Sequence, residues 1–326
     1  MHRLGFVVAP GVPVSNFAAL SVFELANAAR TFYEVHILSE LGGPIRCSVG
    51  LAVDTERLEA ADFDTVILGA APEPPRASPR LVAFLREAMS TARRVASLGS
   101  GAFLLAEAGL LDGRRATTHW REARALQVRF PNVRMEKDCI FVTDGPIWTS
   151  AGGSATIELA LGMVEEDLGE EAARTVAKGL VLYHRRTGGQ SQHSVLLDLS
   201  PKSDRMQNVL TYAKHHLQTP LSVERLAKVA NLSTRQFTRA FTRETGRSPA
   251  KAIEELRVEA ARSLMDRRQH SIEDIARESG FSCREHMRRA FVRAFGKPPQ
   301  ALRRSALATS RSRSANPFRR ARRGAD

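Results

Sequence analysis

The sequence has few cysteines and no long apolar run, and each shortage excludes a class of protein. The 326 residues include three cysteines, Cys47, Cys139 and Cys283, with no short spacing between them. Scattered cysteines argue against a disulfide framework and against a zinc site, and they favour a reducing compartment. No apolar run approaches the length of a membrane span. We therefore expect a cytoplasmic protein with no bound metal, no cofactor and no membrane partner.

The positive charge lies in the last third of the chain. Of the 48 Lys and Arg and the 35 Asp and Glu, 27 basic and 12 acidic residues fall between Asp204 and Asp326. The preceding 203 residues hold 21 basic and 23 acidic residues and are nearly neutral. This asymmetry is typical of a chain in which one domain meets a polyphosphate and another does not. The length also predicts about two domains.

The basic third contains a repeat with an offset of 50 residues. Arg239 and Gly246 in the first copy correspond to Arg289 and Gly296 in the second. A self-match at a fixed period indicates two copies of one supersecondary unit. Each copy has the layout of a helix-turn-helix whose second helix carries arginines on its outer face. Double-stranded DNA is therefore the predicted partner.

The first two-thirds of the chain alternate between buried-strand and helical patterns. Apolar runs predict strands at Leu4–Ala9, Tyr33–Ser39, Thr65–Gly69, Arg94–Leu98 and Ile140–Thr143. Helical spacing predicts helices at Ala18–Arg30, Leu81–Thr91, Ala102–Ala108, Ser154–Leu168 and Gly169–Arg186. The opening run is too short for a signal peptide. The alternation predicts an α/β sandwich with a largely parallel sheet, whose ligands sit beyond the carboxyl ends of the strands.

One predicted link between a strand and a helix has the form of a nucleophile elbow. Leu98 is followed by Gly99, Ser100 and Gly101 before a helical pattern begins. In such an elbow a strained turn raises one side chain above the sheet, and the next helix supplies backbone donors. Gly99 at the tip has no side chain, so it cannot be a nucleophile. The turn either presents backbone N–H groups to a ligand or is a plain tight turn.

Two passages, Gly101–Trp120 and Asp144–Gly153, resemble the front domain of the GlxA-type transcriptional regulators. Those regulators join a PfpI/ThiJ-like domain to an AraC-type DNA-binding domain, and the resemblance covers nearly all of residues 4–303. It implies an amidotransferase-like, flavodoxin-like α/β domain followed by an all-α domain with two helix-turn-helix motifs. It also implies control by a small-molecule effector and a homodimer formed through the front domain.

The resemblance bears on catalysis as well. In the PfpI-like enzymes a cysteine occupies the position of Gly99, a histidine falls near His119, and an acidic residue from an early loop assists. Here the cysteine is absent, and Asn16 stands where many relatives carry an aspartate. The resemblance thus implies ligand binding without catalysis. The alternatives are a PfpI-like hydrolase or glyoxalase with an accessory DNA-binding domain, and a constitutive DNA binder whose front domain only dimerises.

The candidate ligand site combines these positions with two tryptophans and a small-residue turn. His119 is either a hydrogen-bonding group for the ligand or a core histidine. Trp120 and Trp148 are candidates for an aromatic wall around a cationic nitrogen, or for the core. Gly152 and Gly153 precede a helix and can hold a carboxylate through backbone donors. The set for a nitrogenous effector such as an amino acid or a betaine is Asn16, Gly99, Ser100, Gly101, His119, Trp120, Trp148, Gly152 and Gly153.

The predicted domain boundaries follow composition. Residues 1–186 form the sensing domain, 187–203 a Gly/Ser/Gln-rich linker, 204–304 the DNA-binding domain, and 305–326 a disordered Arg-rich tail. The apolar stripe of the helix Gly169–Arg186 either supports dimerisation or closes the front core. A long helix at Pro249–Asp266 is expected to hold the two helix-turn-helix motifs in a fixed relation.

The two recognition helices supply the predicted DNA contacts. Ser233 and Gln236 form a capping box at the first helix, whose inward face carries Phe237. Resemblance to the AraC family favours Arg235 and Thr238 for contacts with bases. The candidate set is Arg235, Gln236, Thr238, Arg239, Arg243, Arg284, Glu285, Arg288, Arg289 and Arg293.

The role of Glu285 is open at this stage. Ser282 and Glu285 also match a capping box, and a capping Glu285 would not read cytosine. We favour the cap. Two recognition helices on one face can enter successive major grooves about 34 Å apart, which predicts a non-palindromic site for a single chain.

Overall fold

The protein is described by a computed structural model that covers residues 1–59, 62–69, 76–183, 185–265 and 270–303. It comprises two compact units, with the boundary between Gly188 and Gly189. The predicted disordered tail, 305–326, lies outside the described residues. In the described ranges no helix is long and apolar enough to cross a membrane. The same ranges contain no cluster of His, Cys, Asp and Glu able to hold a metal ion.

An eight-stranded, largely parallel sheet forms the centre of the first unit. Its strands lie in the order β3-β4-β2-β1-β5-β6-β10-β9, and only the outermost pairs, β3–β4 and β9–β10, are antiparallel. The strands of this unit are β1 (His2–Val7), β2 (Tyr33–Ser39), β3 (Gly43–Arg46), β4 (Ala52–Arg57), β5 (Thr65–Leu68), β6 (Arg94–Leu98), β7 (Arg115–Ala116), β8 (Arg134–Met135), β9 (Phe141–Asp144) and β10 (Ile147–Ser150). The predicted α/β class is confirmed.

Helices cover both faces of the sheet. They are α1 (Ala18–Ala26), α2 (Pro79–Thr91), α3 (Gly101–Glu107), α4 (Ala123–Arg129), α5 (Ala155–Leu168) and α6 (Glu170–Gly179), with a 3-10 helix at Val14–Phe17. Alternate residues of one strand face opposite layers. Phe6 packs in the cluster that includes residues of α1, α5 and α6, whereas Val7 packs with α2 and α3. This alternation is the period-2 geometry of a strand buried on both faces.

Three strands of the eight-stranded sheet were not predicted, and their sequences explain why. β3 and β4 form an exposed edge hairpin, so they lack the continuous apolar run of a buried strand. β10 follows β9 through the two-residue turn Gly145–Pro146 and pairs in parallel with β6. Because the two strands form a tight hairpin, the pattern shows one apolar segment where the fold has two.

The helix predicted at Gly169–Arg186 is shorter than expected. α6 ends at Gly179, and the N–H groups of Val181 and Leu182 donate to the carbonyls of Lys178 and Ala177. These bonds close the helix end, with Val181 in the left-handed conformation at a φ of 55°. Ala173 and Val176 are buried against the front core, so the apolar stripe of α6 closes that core.

A buried ion cluster ties the amino-terminal ends of the strands to α5. Arg94, at the start of β6, pairs with Asp167 near the end of α5, and Arg93 donates to the same carboxylate at 2.7 Å. The Tyr33 hydroxyl donates to Asp167 at 3.0 Å. Burial opposes ionisation, but the Arg94 and Arg93 guanidinium groups hold the pKa of Asp167 below its usual value. Burial and the Asp167 charge raise the pKa of Tyr33.

The second unit is all helical, as predicted. Its helices are α7 (Val195–Leu199), α8 (Asp204–His215), α9 (Val223–Val229), α10 (Thr234–Thr245), α11 (Pro249–Met265), α12 (Ile272–Glu278) and α13 (Arg284–Phe295). Most of the predicted linker, 187–203, falls within this unit, which begins at Gly189. Leu199 of α7 is buried in its core, and the N–H of Val195 donates to Glu259 of α11. The sequence pattern did not predict α7, because this short apolar segment is flanked by polar residues.

The two helix-turn-helix motifs are joined rigidly through α11. Arg257 of α11 donates to the carbonyls of Leu217 and Thr219 at 3.1 Å. Gly280, in the turn of the second motif, has a φ of 84° and lies so close to Leu217 that an added Cβ would overlap the Leu217 carbonyl oxygen. Only glycine fits this approach. The expectation that α11 holds the motifs in a fixed relation agrees with these contacts.

We expect Asp167→Asn to lower the free energy of unfolding by about 3–5 kcal/mol, because the buried Arg94 guanidinium loses its nearest counter-charge and keeps Glu166 at 3.4 Å. Urea unfolding at neutral pH measures this loss. The pKa of Asp167 is lowered from its ordinary value of 3.8. The carboxylate's contribution is therefore present at neutral pH and disappears as the pH falls through the folded-state pKa.

The control is Glu170→Gln. Glu170 pairs with Arg174 on the exposed face of α6, and such pairs contribute about 0–1 kcal/mol. Equal losses in the two variants would contradict a stabilising role for the buried cluster.

Candidate ligand site and nucleic-acid interface

The elbow predicted after β6 is present at the carboxyl edge of the sheet. β6 ends at Leu98, Gly99 has a φ of 51°, and α3 begins at Gly101. The Gly99 N–H donates to the Ser150 carbonyl at 2.9 Å, and the Gly99 carbonyl accepts from the Thr118 hydroxyl at 2.8 Å. Two other segments therefore hold the tip of the elbow. The backbone thus has the geometry of a nucleophile elbow, but the residue at its tip, Gly99, has no side chain.

Gly152 is pressed against this tip. A Cβ added at Gly152 would stand 3.0 Å from the Gly99 Cα and 3.1 Å from the Gly99 nitrogen, and Gly152 has a φ of 80°. Both the space and the left-handed backbone require glycine here. Gly101 is equally close to the Leu68 carbonyl, at 3.0 Å from an added Cβ. The glycines let backbone from β5, β6 and β10 converge at one place.

His119 directly follows Thr118, whose hydroxyl donates to the Gly99 carbonyl of the elbow. Its Nδ1 accepts a hydrogen bond from the Arg121 N–H at 3.3 Å, so in the neutral ring Nε2 carries the proton. The ring stacks on Trp120 with centroids 5.6 Å apart, and the Arg121 guanidinium lies 5.0 Å from the Trp120 centroid. Trp120 is 45% exposed. Trp120 is therefore partly exposed, with the His119 ring and the Arg121 guanidinium against it.

Asn16 joins the site through the start of α5. It is buried in the 3-10 helix after β1, and its Nδ2 donates to the Pro13 carbonyl at 3.0 Å. The Thr156 hydroxyl lies 3.5 Å from the carbonyl of Ser15 and donates to Gly153 at 3.0 Å. Thr156 therefore brings the Ser15–Asn16 segment near the Gly152–Gly153 turn. The sequence did not reveal the role of Thr156, because it depends on residues far apart in the chain.

The two tryptophans do not share one environment. Trp148 is 2% exposed and packs parallel to Phe141 in the core, with centroids 6.4 Å apart. The Arg94 guanidinium lies 5.6 Å from its ring. Trp120 is at the surface. β10 places the side chain of Trp148 in the core layer, and an aromatic wall at the site stays a prediction.

Ser154 occupies the N-cap position of α5, but its side chain makes no capping bond. Its hydroxyl instead accepts from Arg186 at 2.8 Å. Arg186 also donates to Glu158, a buried carboxylate in the first turn of α5, at 2.7 Å. At this position an arginine clamp takes the place of a serine capping bond. The clamp neutralises Glu158, which would otherwise repel an anion at this helix end.

The first recognition helix, α10, presents the predicted arginine face. Phe237 and Phe241 are buried, whereas Arg235, Arg239 and Arg243 are exposed. Among the described residues, no carboxylate forms an ion pair with these three arginines. Their guanidinium groups can therefore meet phosphates or guanine without first giving up a partner.

The capping box of α10 is confirmed. It limits the predicted DNA contact of Gln236, and a separate hydrogen bond within the helix limits that of Thr238. The Gln236 Oε1 accepts from the N–H and the hydroxyl of Ser233 at 3.2 and 2.9 Å. The Thr238 hydroxyl donates to the Thr234 carbonyl at 2.9 Å. Gln236 keeps only its amide N–H groups for DNA, and Thr238 keeps its oxygen as an acceptor and its methyl group.

The second recognition helix, α13, carries arginines that are held by carboxylates. Three ion pairs hold them: Arg284 with Glu273 at 3.0 Å, Arg288 with Glu285 at 2.8 Å, and Arg293 with Glu254 at 2.5 Å. Arg289 is exposed on the same face. The two faces therefore differ in charge although the helices share one repeat.

The capping box expected from Ser282 and Glu285 is wrong. α13 begins at Arg284 with Cys283 in the N-cap position and no side-chain capping bond. The Ser282 hydroxyl lies 3.2 Å from His286 Nδ1, and Glu285 turns outward to Arg288. Because the helix starts one residue later than the motif requires, Glu285 stands in the second position of the helix, where it cannot reach back to Ser282.

Comparison with protein families matches residues 13–166 to the DJ-1/PfpI family and residues 226–305 to a helix-turn-helix domain. The chain is 31% identical over 302 residues to the HTH-type transcriptional regulator CdhR of Pseudomonas aeruginosa, which covers 90% of this chain and 89% of that protein. It is 31% identical over 312 residues to the HTH-type transcriptional regulator GlxA of Rhizobium meliloti, covering 93% and 96%.

Two further comparisons concern parts of the chain. An isonitrile hydratase of Pseudomonas putida is 32% identical over 149 residues, which are 44% of this chain and 63% of that enzyme. The crystal structure of an AraC family transcriptional regulator from Pseudomonas putida matches with a TM-score of 0.52 and 25% identity. It covers 55% of this chain and all of that structure.

We expect Gly152→Ala to destabilise the first unit by about 2–5 kcal/mol, through a strained left-handed residue and a clash with the Gly99 backbone. Chemical unfolding followed by far-UV circular dichroism measures the loss. Gly153→Ala is the matched control, since Gly153 also has a positive φ of 56° but an added Cβ meets nothing within 4 Å. Indistinguishable stabilities would mean that the Gly99 contact is looser than described.

Proposed function

Because the chain belongs to the HTH-type transcriptional regulators that carry a DJ-1/PfpI domain, we propose that it binds a specific promoter sequence under the control of a small metabolite held in the first unit. The observation that carries this proposal is the elbow at Gly99. Its supporting contacts from Ser150, Thr118 and Gly152 are all built, while the group that would do covalent chemistry is missing.

The polar groups around the elbow favour a small effector with both charged and hydrogen-bonding ends. The neutral His119 ring carries its proton on Nε2, and the partly exposed Trp120 ring suits a cationic nitrogen. The Gly152–Gly153 turn leads into α5, whose amino-terminal end favours a carboxylate. An amino acid or a betaine has this combination of charges.

The route from the effector to the second unit is proposed to run through Arg186. This residue binds Ser154 and Glu158 at the start of α5, directly after the Gly152–Gly153 turn. Two residues later, the Gly188 carbonyl accepts from the Phe141 N–H of β9 at 3.3 Å, and the second unit begins at Gly189. A ligand that shifts the turn would alter the Arg186 contacts and thereby the last residues of the first unit.

A second candidate function is retained enzymatic activity, which the similarity to the isonitrile hydratase favours. A covalent mechanism at the elbow needs a thiol or hydroxyl at its tip. Gly99 supplies neither. The proposal is therefore a binding protein and not an enzyme. The homodimer through the first unit and the cytoplasmic location stay predictions.

We expect an amino acid or betaine in a metabolite panel to raise the melting temperature of the full chain. A ligand at 100 times its Kd stabilises a protein by about 2.7 kcal/mol. His119→Ala and Trp120→Ala should remove the shift, because they delete the directed donor and the aromatic face. Arg174→Gln, on the exposed side of α6, is the control and should keep it.

The same panel separates the alternatives. If no compound shifts the melting temperature, the first unit is better explained as a dimerisation domain of a constitutive DNA binder. Turnover of isonitrile, amide or glyoxal substrates that disappears in His119→Ala would instead favour the enzyme.

We expect Arg235→Ala to relax the base preference at one position of the bound sequence by roughly 1–3 kcal/mol, because a bidentate contact to guanine would be lost. Binding to systematically substituted duplexes at fixed salt measures it. The control is Arg247→Ala, which removes a charge that follows α10 and pairs with Glu255. A uniform loss of affinity on every duplex would show that Arg235 touches only phosphate.

A further inference from the structure

Glu285 and Arg235 occupy equivalent places in the two recognition helices. Each is the second residue of its helix, after the N-cap residues Cys283 and Ser233. Each is exposed on the face opposite the buried residues. The repeat therefore places a carboxylate in the second motif where the first motif has a guanidinium. A position that changes sign within one repeat is a candidate for reading different bases.

Glu285 does not cap its own helix. It makes no capping bond, and both its oxygens face Arg288, which donates from Nε and Nη2 at 2.8 and 2.9 Å. The hydrogen bond from Arg288 also lowers the pKa of Glu285. An ionised carboxylate only accepts hydrogen bonds. The side-by-side pair thus presents an acceptor next to the guanidinium donors of Arg288.

The acceptor of Glu285 beside the donors of Arg288 is complementary to a C·G base pair. In the major groove a C·G pair presents the cytosine N4 donor beside the guanine O6 and N7 acceptors. Adenine also presents a donor, N6, but its N7 acceptor lies beside that donor and would repel a carboxylate. Phosphates repel a carboxylate as well, so Glu285 gains from DNA contact only where a base donor faces it.

We propose that Glu285 and Arg288 together read a C·G base pair in the second half of the site, with Glu285 accepting from cytosine. This deepens the proposed sequence-specific function and rests on it. Arg235 at the equivalent position of the first motif then reads guanine. The two motifs recognise different half-sites, and their difference lies in this one position of the repeat.

Selection from a randomised library of DNA duplexes tests the inference. The full-length wild-type chain should enrich a sequence with cytosine at one position, which Glu285→Ala should relax by roughly 5- to 150-fold. Glu285→Gln keeps the shape but adds a donor, and it should relax the same position. Glu285→Arg copies the first motif and should shift the preference there to guanine.

Glu273→Gln is the matched control. It removes a carboxylate from α12, the first helix of the same motif, where Glu273 pairs with Arg284 of the recognition helix. It should leave the base preference at the Glu285 position unchanged, because Glu285 and Arg288 stay intact. All these positions are exposed, so the variants are expected to fold, and their melting temperatures check this.

The outcomes separate the inference from the function on which it rests. A wild-type chain that enriches no sequence overturns sequence-specific binding and the inference with it. A wild-type chain that enriches a site whose base preferences all survive Glu285→Ala overturns the inference alone. In that case Glu285 only neutralises Arg288, and its removal strengthens binding to every duplex alike.

Discussion

The first unit depends on one close approach of backbone to backbone, between Gly99 and Gly152. A side chain at Gly152 would meet the Gly99 backbone and push β6 and β10 apart at their carboxyl ends, where the Gly99 N–H donates to the Ser150 carbonyl. The other candidate site residues lie on segments that adjoin this contact. Thr118 holds the elbow from one side and thereby fixes the start of the His119–Trp120 segment, while the turn after Ser150 leads into α5.

Charge is used in opposite ways in the two units. At the far edge of the sheet Arg94 is buried with Asp167, where an unpaired charge is costly and the pair stabilises the fold. On the recognition helices α10 and α13 the arginines are exposed, so their ion pairs contribute little to stability. Their proposed role is DNA recognition. Arg235 and Arg239 have no partner carboxylate in the described part of the chain, whereas Arg288 is held by Glu285.

Local signals were enough to predict much of this architecture. Strands β2 and β6 match their predicted bounds. β6 is buried along its whole length, as is typical of a central parallel strand. The capping box of α10 was also predicted, since it depends on residues three positions apart. Predictions failed where distant contacts decide. α7 was missed because its partner in α11 is far along the chain, and the edge hairpin β3–β4 has no buried run.

The candidate site divides in the same way. The sequence by itself determined that Gly99 carries no nucleophile, that the arginines of α10 face outward, and that the last third of the chain meets DNA, because these follow from residue identity, period and charge. Only the tertiary structure decided that Trp148 belongs to the core, that Arg186 replaces a cap at Ser154, and that Glu285 turns to Arg288. Each of these depends on which side chains packing brings together, and a linear pattern does not contain that information.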